Sequence, residues 1–334
     1  MTFINAISYY LPQGVLTNEM LNEQFPEWSV DKISGKTGIF QRHIAAEDEF
    51  SSDLAFEAAT KLFREHHIDK EEIDFIILCT QSPDYFLPTT ACILQDRLGL
   101  SKNCGAFDFN LGCSGYVYGL GIAKGLVETG QASKVLLITA ETYSKFVGNK
   151  DKSNKTIFGD AAAASIISKE EKGFKICDFV YGTDGSGAGN LMVKEGGIRH
   201  RERNLTTTTD DYGNERSEAD LYMDGSAIFV FTLSNVPKLI RTVLKKHDLV
   251  LDDIDLFVFH QANKFMLEHL RKKIKIDKDR FYLYLENCGN TVSSTIPIAL
   301  NEALREGKIL SNQKIMLTGF GVGLSWAGTV LESI

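Results

Sequence analysis

The sequence lacks the cysteine pairs and clusters that build disulfide frameworks or zinc sites. Its six cysteines are scattered at positions 79, 92, 104, 113, 177 and 288, with no C-x-x-C pair. No group of cysteines and histidines has metal-ligand spacing either. We therefore expect no structural disulfide and no structural metal, and each cysteine is a candidate for packing or for chemistry.

Long apolar runs are also absent. No run approaches the 18 residues of a membrane span, and residues 1–14 have neither the basic start nor the apolar core of a signal peptide. The net charge of −8 argues against non-specific nucleic-acid binding and against a general attraction to anionic membranes. These absences predict a cytoplasmic protein with no nucleic-acid or membrane partner.

The sequence contains an internal repeat. An apolar run at residues 72–81, of the kind that buried parallel strands show, returns at residues 253–261, at an offset of 181. Residues 134–139 likewise recur at 314–318, at an offset of 180. Alternating strands and helices in each copy predict an α/β fold with mostly parallel sheets. We place the two halves at residues 1–175 and 176–334.

Two local expectations accompany this division. Ser51 is predicted to be the N-cap of an amphipathic helix over residues 51–63. Residues 182–190 and 199–220 are polar and rich in helix breakers, which predicts surface loops over or beside the site.

Residues 107–120 form the most informative stretch, because an apolar run ends there at Cys113, between Gly112 and Gly115. We interpret it as a nucleophile elbow followed by a glycine-rich buried helix. At the N-terminus of that helix, the orphan N–H groups and the helix dipole would favour a thiolate. The alternative is a small buried hydrophobic residue, which is the role of most free cysteines.

The repeat places two further polar residues near Cys113. His260 lies at the end of the second apolar run, and Asn290 lies in residues 287–294, the segment in which Ser293 is equivalent to Cys113. Because sites in open α/β folds lie at the carboxyl ends of strands, a Cys-His-Asn site is expected. Taken alone, His260 could be a partly buried histidine with its hydrogen bonds made within the fold, and Asn290 could be a turn residue.

Five motifs in this order are similar to those of β-ketoacyl-acyl-carrier-protein synthase III, a condensing enzyme of the thiolase superfamily. They are residues 110–120, 158–160, 260–263, 289–300 and 319–326. The resemblance runs over essentially the whole chain. It implies a thiolase-like fold of two duplicated halves in a five-layered αβαβα arrangement, and a homodimer.

The resemblance implies a decarboxylative Claisen condensation, a step of fatty-acid biosynthesis. Cys113 would hold the starter acyl group as a thioester, and His260 and Asn290 would stabilise the enolate formed when a malonyl thioester loses CO2. Gly321, Val322 and Gly323 would supply an oxyanion hole with the N–H of Cys113, and Phe320 would exclude water. No cofactor is expected beyond the substrates, acyl-CoA and acyl-carrier-protein thioesters.

The resemblance also suggests binding residues. Trp28, Lys36, Leu87 and Asn263 are expected to contact substrate, and a basic cluster is expected to contact the acyl carrier protein, formed by Lys264, Arg271, Lys272 and Lys273. Lys36 and Phe265 stand where the family usually has arginines. Leu87, where a phenylalanine would close the acyl pocket from across the dimer, predicts a medium or branched starter, unless Phe86 fills the space.

Two other functions fit the same residues. The site could transfer acyl groups to oxygen or nitrogen, or hydrolyse thioesters, without forming a carbon–carbon bond. The chain could also be a non-catalytic dimer partner, although such partners typically lose the nucleophile and Cys113 is present.

Overall fold

The computed structural model describes residues 1–334, which form sixteen strands and nine helices. The strands are β1 (Phe3–Tyr10), β2 (Gly14–Thr17), β3 (Gln41–Ile44), β4 (Phe75–Cys79), β5 (Gly105–Phe109), β6 (Lys134–Glu141), β7 (Ala161–Ser168), β8 (Phe174–Thr183), β9 (Leu191–Met192), β10 (Thr208–Thr209), β11 (Glu215–Arg216), β12 (Tyr222–Met223), β13 (Leu256–Phe259), β14 (Phe281–Tyr282), β15 (Lys314–Gly321) and β16 (Ser325–Ser333). The helices are α1 (Asn18–Gln24), α2 (Val30–Thr37), α3 (Ser51–His66), α4 (Thr90–Leu98), α5 (Gly115–Glu128), α6 (Lys152–Lys155), α7 (Gly225–Lys246), α8 (Lys264–Ile274) and α9 (Thr295–Arg305).

Ten strands are hydrogen-bonded in the order β14-β13-β15-β16-β8-β1-β7-β6-β4-β5, which repeats one pattern from both ends. The strand β4 pairs in parallel with β5 and β6, and β13 pairs in parallel with β14 and β15. Antiparallel pairing then continues through β7 to β1 in one set and through β16 to β8 in the other. The two sets meet where β1 pairs with β8. The observed strand order therefore has the duplication expected from the sequence, and a division at residue 175, inside β8, stays a prediction.

Helices cover both faces of each five-stranded set, because strand side chains alternate between faces. In β4, Ile76 and Leu78 pack with α3 and α4, whereas Ile77 joins a second core that includes α5 and α9. That second core also takes Val258 of β13 and Leu317 of β15. A third core lies between the other face of β13, β15 and β16 and the helices α7 and α8. The layers are thus α3/α4, sheet, α5/α9, sheet and α7/α8, which confirms the five-layered αβαβα fold.

The helix α3 begins as expected at Ser51, but its predicted cap is wrong. Phe50 is the N-cap residue, and its backbone N–H donates to the Asp53 carboxylate at 2.8 Å. The Ser51 hydroxyl instead lies 2.8 Å from the Ser82 hydroxyl, in the buried interior. A long-range hydroxyl partner therefore replaces the local capping bond.

By length and composition alone, α7 could cross a membrane, and half of its most apolar window is buried. In the fold it packs as a core helix against β15 and β16, through residues that include Leu239 and Val243. Beside it, residues 182–190 and 199–220 are mainly exposed, with the short β10–β11 hairpin inside the second segment.

Candidate active site

The turn between β5 and α5 presents Cys113. Gly112 and Gly115 close this turn through a 2.7 Å backbone hydrogen bond. A side chain at Gly112 would come within 2.5 Å of Gln81 Oε1, and one at Gly321 within 2.7 Å of Cys113 Sγ. A side chain at Gly321 would thus collide with Cys113 itself, whereas one at Gly112 would have to displace the ends of the Gln81 and Val322 side chains. Two loops therefore close tightly around the sulfur.

A second turn aims a backbone N–H at the thiol. Val322 lies between β15 and β16, and its N–H lies near enough to Cys113 Sγ to lower the pKa of that thiol. The Ser325 hydroxyl donates to the carbonyl of Val322 at 2.8 Å and lies 2.7 Å from the hydroxyl of Ser114. Gly323 completes this turn at a φ of 134°, a conformation that favours glycine. The residue after Cys113 thus holds the turn that carries the Val322 N–H.

Burial raises the pKa of the Cys113 thiol to about 12. The N–H groups of Val322 and of Cys113 itself oppose this increase, whereas the negative charge of Glu141 adds to it. The sequence-based expectation of a resting thiolate at a helix N-terminus is therefore wrong. The helix α5 begins only at Gly115, and loss of solvent around the sulfur is the largest cause of the raised pKa.

His260 directly follows β13, and its backbone N–H donates to the carbonyl of Thr318 at 2.8 Å. Its ring is buried with Nδ1 2.8 Å from Thr295 Oγ1, and it meets the Phe320 ring edge-on at 5.6 Å between centroids. Burial lowers the pKa of His260 to about 3, so the imidazole is neutral at pH 7. A neutral ring with one nitrogen held by Thr295 has its other nitrogen left for chemistry.

Asn290 is held by its backbone and by one end of its amide. Its N–H donates to Ile157 at 2.9 Å, and its carbonyl accepts from Gly159 at 3.0 Å. Its Oδ1 accepts from the N–H of Val292 at 2.9 Å. The Nδ2 end of the amide, which only donates, is thereby left to reach another group.

Val292 and Thr295 are site residues that the sequence did not reveal. Val292 has a φ of 55°, which is rare for a β-branched residue. Its N–H orients Asn290, and its carbonyl accepts from the Thr295 hydroxyl at 3.0 Å. One signal pointed to Thr295: it begins α9 at an offset of 180 from Gly115, which begins α5. No sequence signal marks Val292.

Trp28, Lys36 and Lys264 lie on a surface formed by α2 and α8. The Lys36 ammonium lies 5.3 Å from the centre of the Trp28 ring, and Lys32 lies at 5.1 Å. A side chain at Gly38 would come within 2.4 Å of Lys264 Cβ, so glycine lets the two helices approach. Trp28 and Lys36, which are predicted to contact substrate, thus lie on one surface with Lys264, which is predicted to contact the carrier protein.

The basic cluster of α8 is smaller than the sequence indicated. Lys272 and Lys273 are exposed, but Arg271 bonds Glu268 at 2.9 Å and the carbonyl of Ile276 at 2.9 Å within its own segment. Asn263 caps α8 by accepting from the N–H of Met266 at 2.9 Å. Its side-chain oxygen therefore has a structural role, and its amide nitrogen remains a donor.

Leu87 is not part of the buried site of its own chain. It is 81% exposed, next to Phe86 at 75% and Tyr85 at 62%. Three large apolar residues in one exposed loop form a surface suited to another protein or another copy of the chain. A role for Leu87 in the acyl pocket thus stays a prediction.

Comparisons with known proteins agree with this geometry. The family model described as 3-oxoacyl-[acyl-carrier-protein (ACP)] synthase III matches residues 107–185, and that of its C-terminal part matches residues 244–333. A β-ketoacyl-[acyl-carrier-protein] synthase III from Caldanaerobacter subterraneus subsp. tengcongensis is 38% identical over 97% of this chain and 95% of its own. One from Fusobacterium nucleatum is 36% identical over 98% of each chain.

Solved structures give the same result. The chain superposes on a 2.1 Å crystal structure of a 3-oxoacyl-(acyl-carrier-protein) synthase III with a TM-score of 0.96 and 48% identity, covering 99% of both chains. Since the relatives align over nearly their full length and the fold agrees throughout, the chain belongs to the 3-oxoacyl-[acyl-carrier-protein] synthase III family.

Proposed function

We propose that this protein catalyses the decarboxylative condensation of an acyl thioester with a malonyl-acyl-carrier-protein, giving a β-ketoacyl thioester and CO2. One observation carries the proposal. His260, a neutral imidazole, and Asn290, whose amide is oriented by Val292, are both buried. Their neighbours Phe320 and Val292 lie in one hydrophobic core with Cys113, whose sulfur faces the N–H of Val322. The names of the relatives support the same reaction.

In the first step, Cys113 attacks the carbonyl carbon of the starter thioester. A new sulfur–carbon bond forms, the bond to the carrier thiol breaks, and the proton of Cys113 leaves with that thiol. The N–H groups of Cys113 and Val322 stabilise the negative oxygen of the tetrahedral intermediate. Because burial keeps Cys113 as a thiol at rest, proton loss must accompany the attack rather than precede it.

In the second step, the malonyl carboxylate leaves as CO2 and its electron pair forms an enolate. His260 and Asn290 donate to the enolate oxygen, because charge develops there. For His260 to donate from Nε2, its Nδ1 must accept the Thr295 hydroxyl proton, so in this tautomer the hydroxyl turns from the carbonyl of Val292, 3.0 Å away, to Nδ1 at 2.8 Å. The enolate carbon then attacks the thioester on Cys113, and the released thiolate takes up a proton.

Phe320 shapes this second step. It is buried, and the edge-on contact with His260 places an apolar ring beside the imidazole. An apolar wall at this point excludes water and strengthens the hydrogen bonds to the enolate. We assign Phe320 the role of protecting the carbanion from protonation by water.

The substrate and assembly assignments belong to the same proposal. Acyl carrier protein would dock on Lys264, Lys272 and Lys273, and an acyl-CoA starter would bind near Trp28 and Lys36. We propose a cytoplasmic homodimer in which the exposed loop with Leu87 reaches the acyl pocket of the other copy. The proposed chemistry uses side chains and the two thioesters, without a resident cofactor.

Product analysis tests the reaction. The protein is incubated with acyl-CoA thioesters of two to eight carbons and malonyl-acyl-carrier-protein, and the carrier is then weighed by mass spectrometry. Condensation predicts a carrier bearing the starter extended by two carbons with a keto group. Free acid, or an acyl group moved unchanged to another acceptor, would instead support the hydrolase or acyltransferase alternative.

A further inference from the structure

Glu141 is a buried carboxyl group with no cation beside it. It is the last residue of β6 and is fully buried. All its hydrogen-bond partners are neutral: Oε1 accepts from Ser293 Oγ at 2.7 Å, and Oε2 accepts from the N–H of Gln81 and from Ser82 Oγ, both at 3.1 Å. A buried acid without a counter-ion is costly to ionise. The steps assigned to Cys113, His260 and Asn290 do not use it.

The partners of Glu141 lie in the loop after β4, which packs against the turn of Cys113, and in the loop of Asn290. The Gln81 side chain packs against Gly112, one residue before the nucleophile, and donates to Asn110 Oδ1 at 3.1 Å. Ser293 lies in the other loop, next to Val292, whose N–H holds the Asn290 amide. One carboxyl group therefore connects the turn of Cys113 with the turn of Asn290.

We propose that Glu141 is a positioning residue of the condensing site, which joins these two turns and controls by its charge how readily Cys113 loses its proton. The inference rests on the proposed function for the roles of Cys113 and Asn290. Glu141 acts through these neighbours and has no assigned contact with substrate.

The charge of Glu141 changes within the ordinary pH range. Burial raises its pKa to about 8, while hydrogen bonds from Ser293, Gln81 and Ser82 oppose the increase. The nearby Asp160 raises the pKa of Glu141 further, and Lys145 acts in turn on Asp160. The other titratable neighbours are the thiols of Cys79 and Cys113 and the phenol of Tyr143, and the charge of Glu141 raises the pKa of each of them.

The charge of Glu141 reduces thiolate formation at Cys113 at high pH. Below pH 8, Glu141 is mostly neutral and does not oppose a thiolate at Cys113. Above pH 8, its negative charge makes that thiolate harder to form. The reactivity of Cys113 should therefore increase with pH less steeply around pH 8 than that of an isolated thiol.

Alkylation of Cys113 by iodoacetamide, followed at peptide level by mass spectrometry between pH 6.5 and 9.5, measures this directly. In Glu141→Gln, the amide can keep all three hydrogen bonds if its nitrogen donates to Ser293. We expect equal rates for the two proteins at pH 6.5. At pH 9.5 the variant should react about tenfold faster, if the charge raises the pKa of the thiol by roughly one unit.

The matched control is Glu302→Gln, which removes a buried carboxyl group of α9 that affects Tyr9 and Cys288 but not Cys113. It should reproduce the wild-type profile. Ser293→Ala keeps the Glu141 charge but removes a donor to it, so the flattened region of the profile should move to higher pH. This variant decides the question even if Glu141→Gln does not fold.

The positioning role of Glu141 is tested separately, by the rate of malonyl decarboxylation. Glu141→Ala should lower malonyl decarboxylation at every pH, and Glu141→Gln should restore it while keeping the altered alkylation profile. Parallel alkylation profiles in wild type, Glu141→Gln and Ser293→Ala would overturn the inference. Because alkylation needs no substrate, a protein with the expected profile and no condensation would refute the proposed function alone.

Discussion

At the residue scale, the site separates into donors for two different steps. In the proposed mechanism, the N–H groups at Cys113 and Val322 serve acyl transfer, whereas His260 and Asn290 serve the enolate. The structure favours this division, because Val292 fixes Asn290 through its N–H and contacts Thr295, the partner of His260, through its carbonyl. Losing one of these side chains should damage the second step and spare the first.

We therefore expect His260→Ala and Asn290→Ala to accept an acyl group on Cys113 at near wild-type levels. Malonyl decarboxylation should decrease by roughly 10²–10³ for each lost oxyanion donor. Intact-protein mass measures the first step, and CO2 release measures the second. Variants that fail to acylate but still decarboxylate would reverse the roles assigned here.

Thr295 gives a finer test of the histidine. Thr295→Val keeps the shape of the side chain but removes the hydroxyl at His260 Nδ1, so the reactive tautomer should become less populated. We expect decarboxylation to decrease about tenfold while acylation is preserved, since one hydrogen bond of about 1.4 kcal/mol corresponds to that factor. Thr295→Ser, the matched control, should retain activity. Equal loss in both variants would show that only packing matters at this position.

At the element scale, apolar periodicity predicted the main strands and helices, because burial in a layered fold imposes it. The apolar run at residues 72–81 contains the strand β4, whose side chains are buried on both faces of the sheet, as expected. Predictions made from only a few neighbouring residues were less accurate. Ser51 bonds Ser82 rather than capping α3, and Cys113 lies before α5 in an environment that holds its proton. The hydrogen bond of Ser51 and the protonation of Cys113 both depend on residues that are distant in sequence. A local sequence pattern therefore could not predict either.

The same limit applies to α8 and its carrier-binding role. Lys272→Glu with Lys273→Glu should raise KM for an acyl-carrier-protein substrate and weaken its salt dependence, because surface charges act mainly on encounter. A CoA or pantetheine substrate should be little affected. With Phe265 in place of an arginine, the change should be modest.

A matched control makes the same change of charge elsewhere. Lys102→Glu with Lys308→Glu alters two exposed lysines on other parts of the chain. This control should leave KM for both substrates near the wild-type value. Equal damage to CoA and carrier substrates by the α8 variant would mean that this face has a structural role instead.

At the scale of the whole molecule, the fold buries Cys113 of one half in the same core as Val292 and Phe320 of the other half, which contact Asn290 and His260. The strand order of the two sets makes this meeting a consequence of the fold. The repeat predicted from the sequence is present in the strand order, whereas the catalytic roles of Cys113, His260 and Asn290 stay predictions. No sequence signal marks Val292 or Glu141, and only the offset of 180 from Gly115 marks Thr295, because the contacts of all three depend on how the two halves pack.

Starter size also belongs to this scale, since Leu87 is exposed on its own chain. We expect wild type to prefer medium or branched starters, and Leu87→Phe to shift the preference towards acetyl. Each additional buried methylene contributes about 0.8 kcal/mol, roughly fourfold in kcat/KM. Values of kcat/KM for acetyl, butyryl, hexanoyl and octanoyl thioesters test this. A wild type that prefers acetyl, unchanged in Leu87→Phe, would contradict it.

The central claim is that one acyl group passes through Cys113 into a new carbon–carbon bond. A single-turnover experiment tests it most directly: wild type is loaded with an acyl thioester, freed of excess starter, and mixed with malonyl-acyl-carrier-protein. Intact-mass spectra should show the adduct on Cys113 disappearing as an equal amount of β-ketoacyl carrier forms, and Cys113→Ala should show neither species. A β-ketoacyl carrier formed by Cys113→Ala, or an adduct lost from wild type only as free acid, would contradict the account.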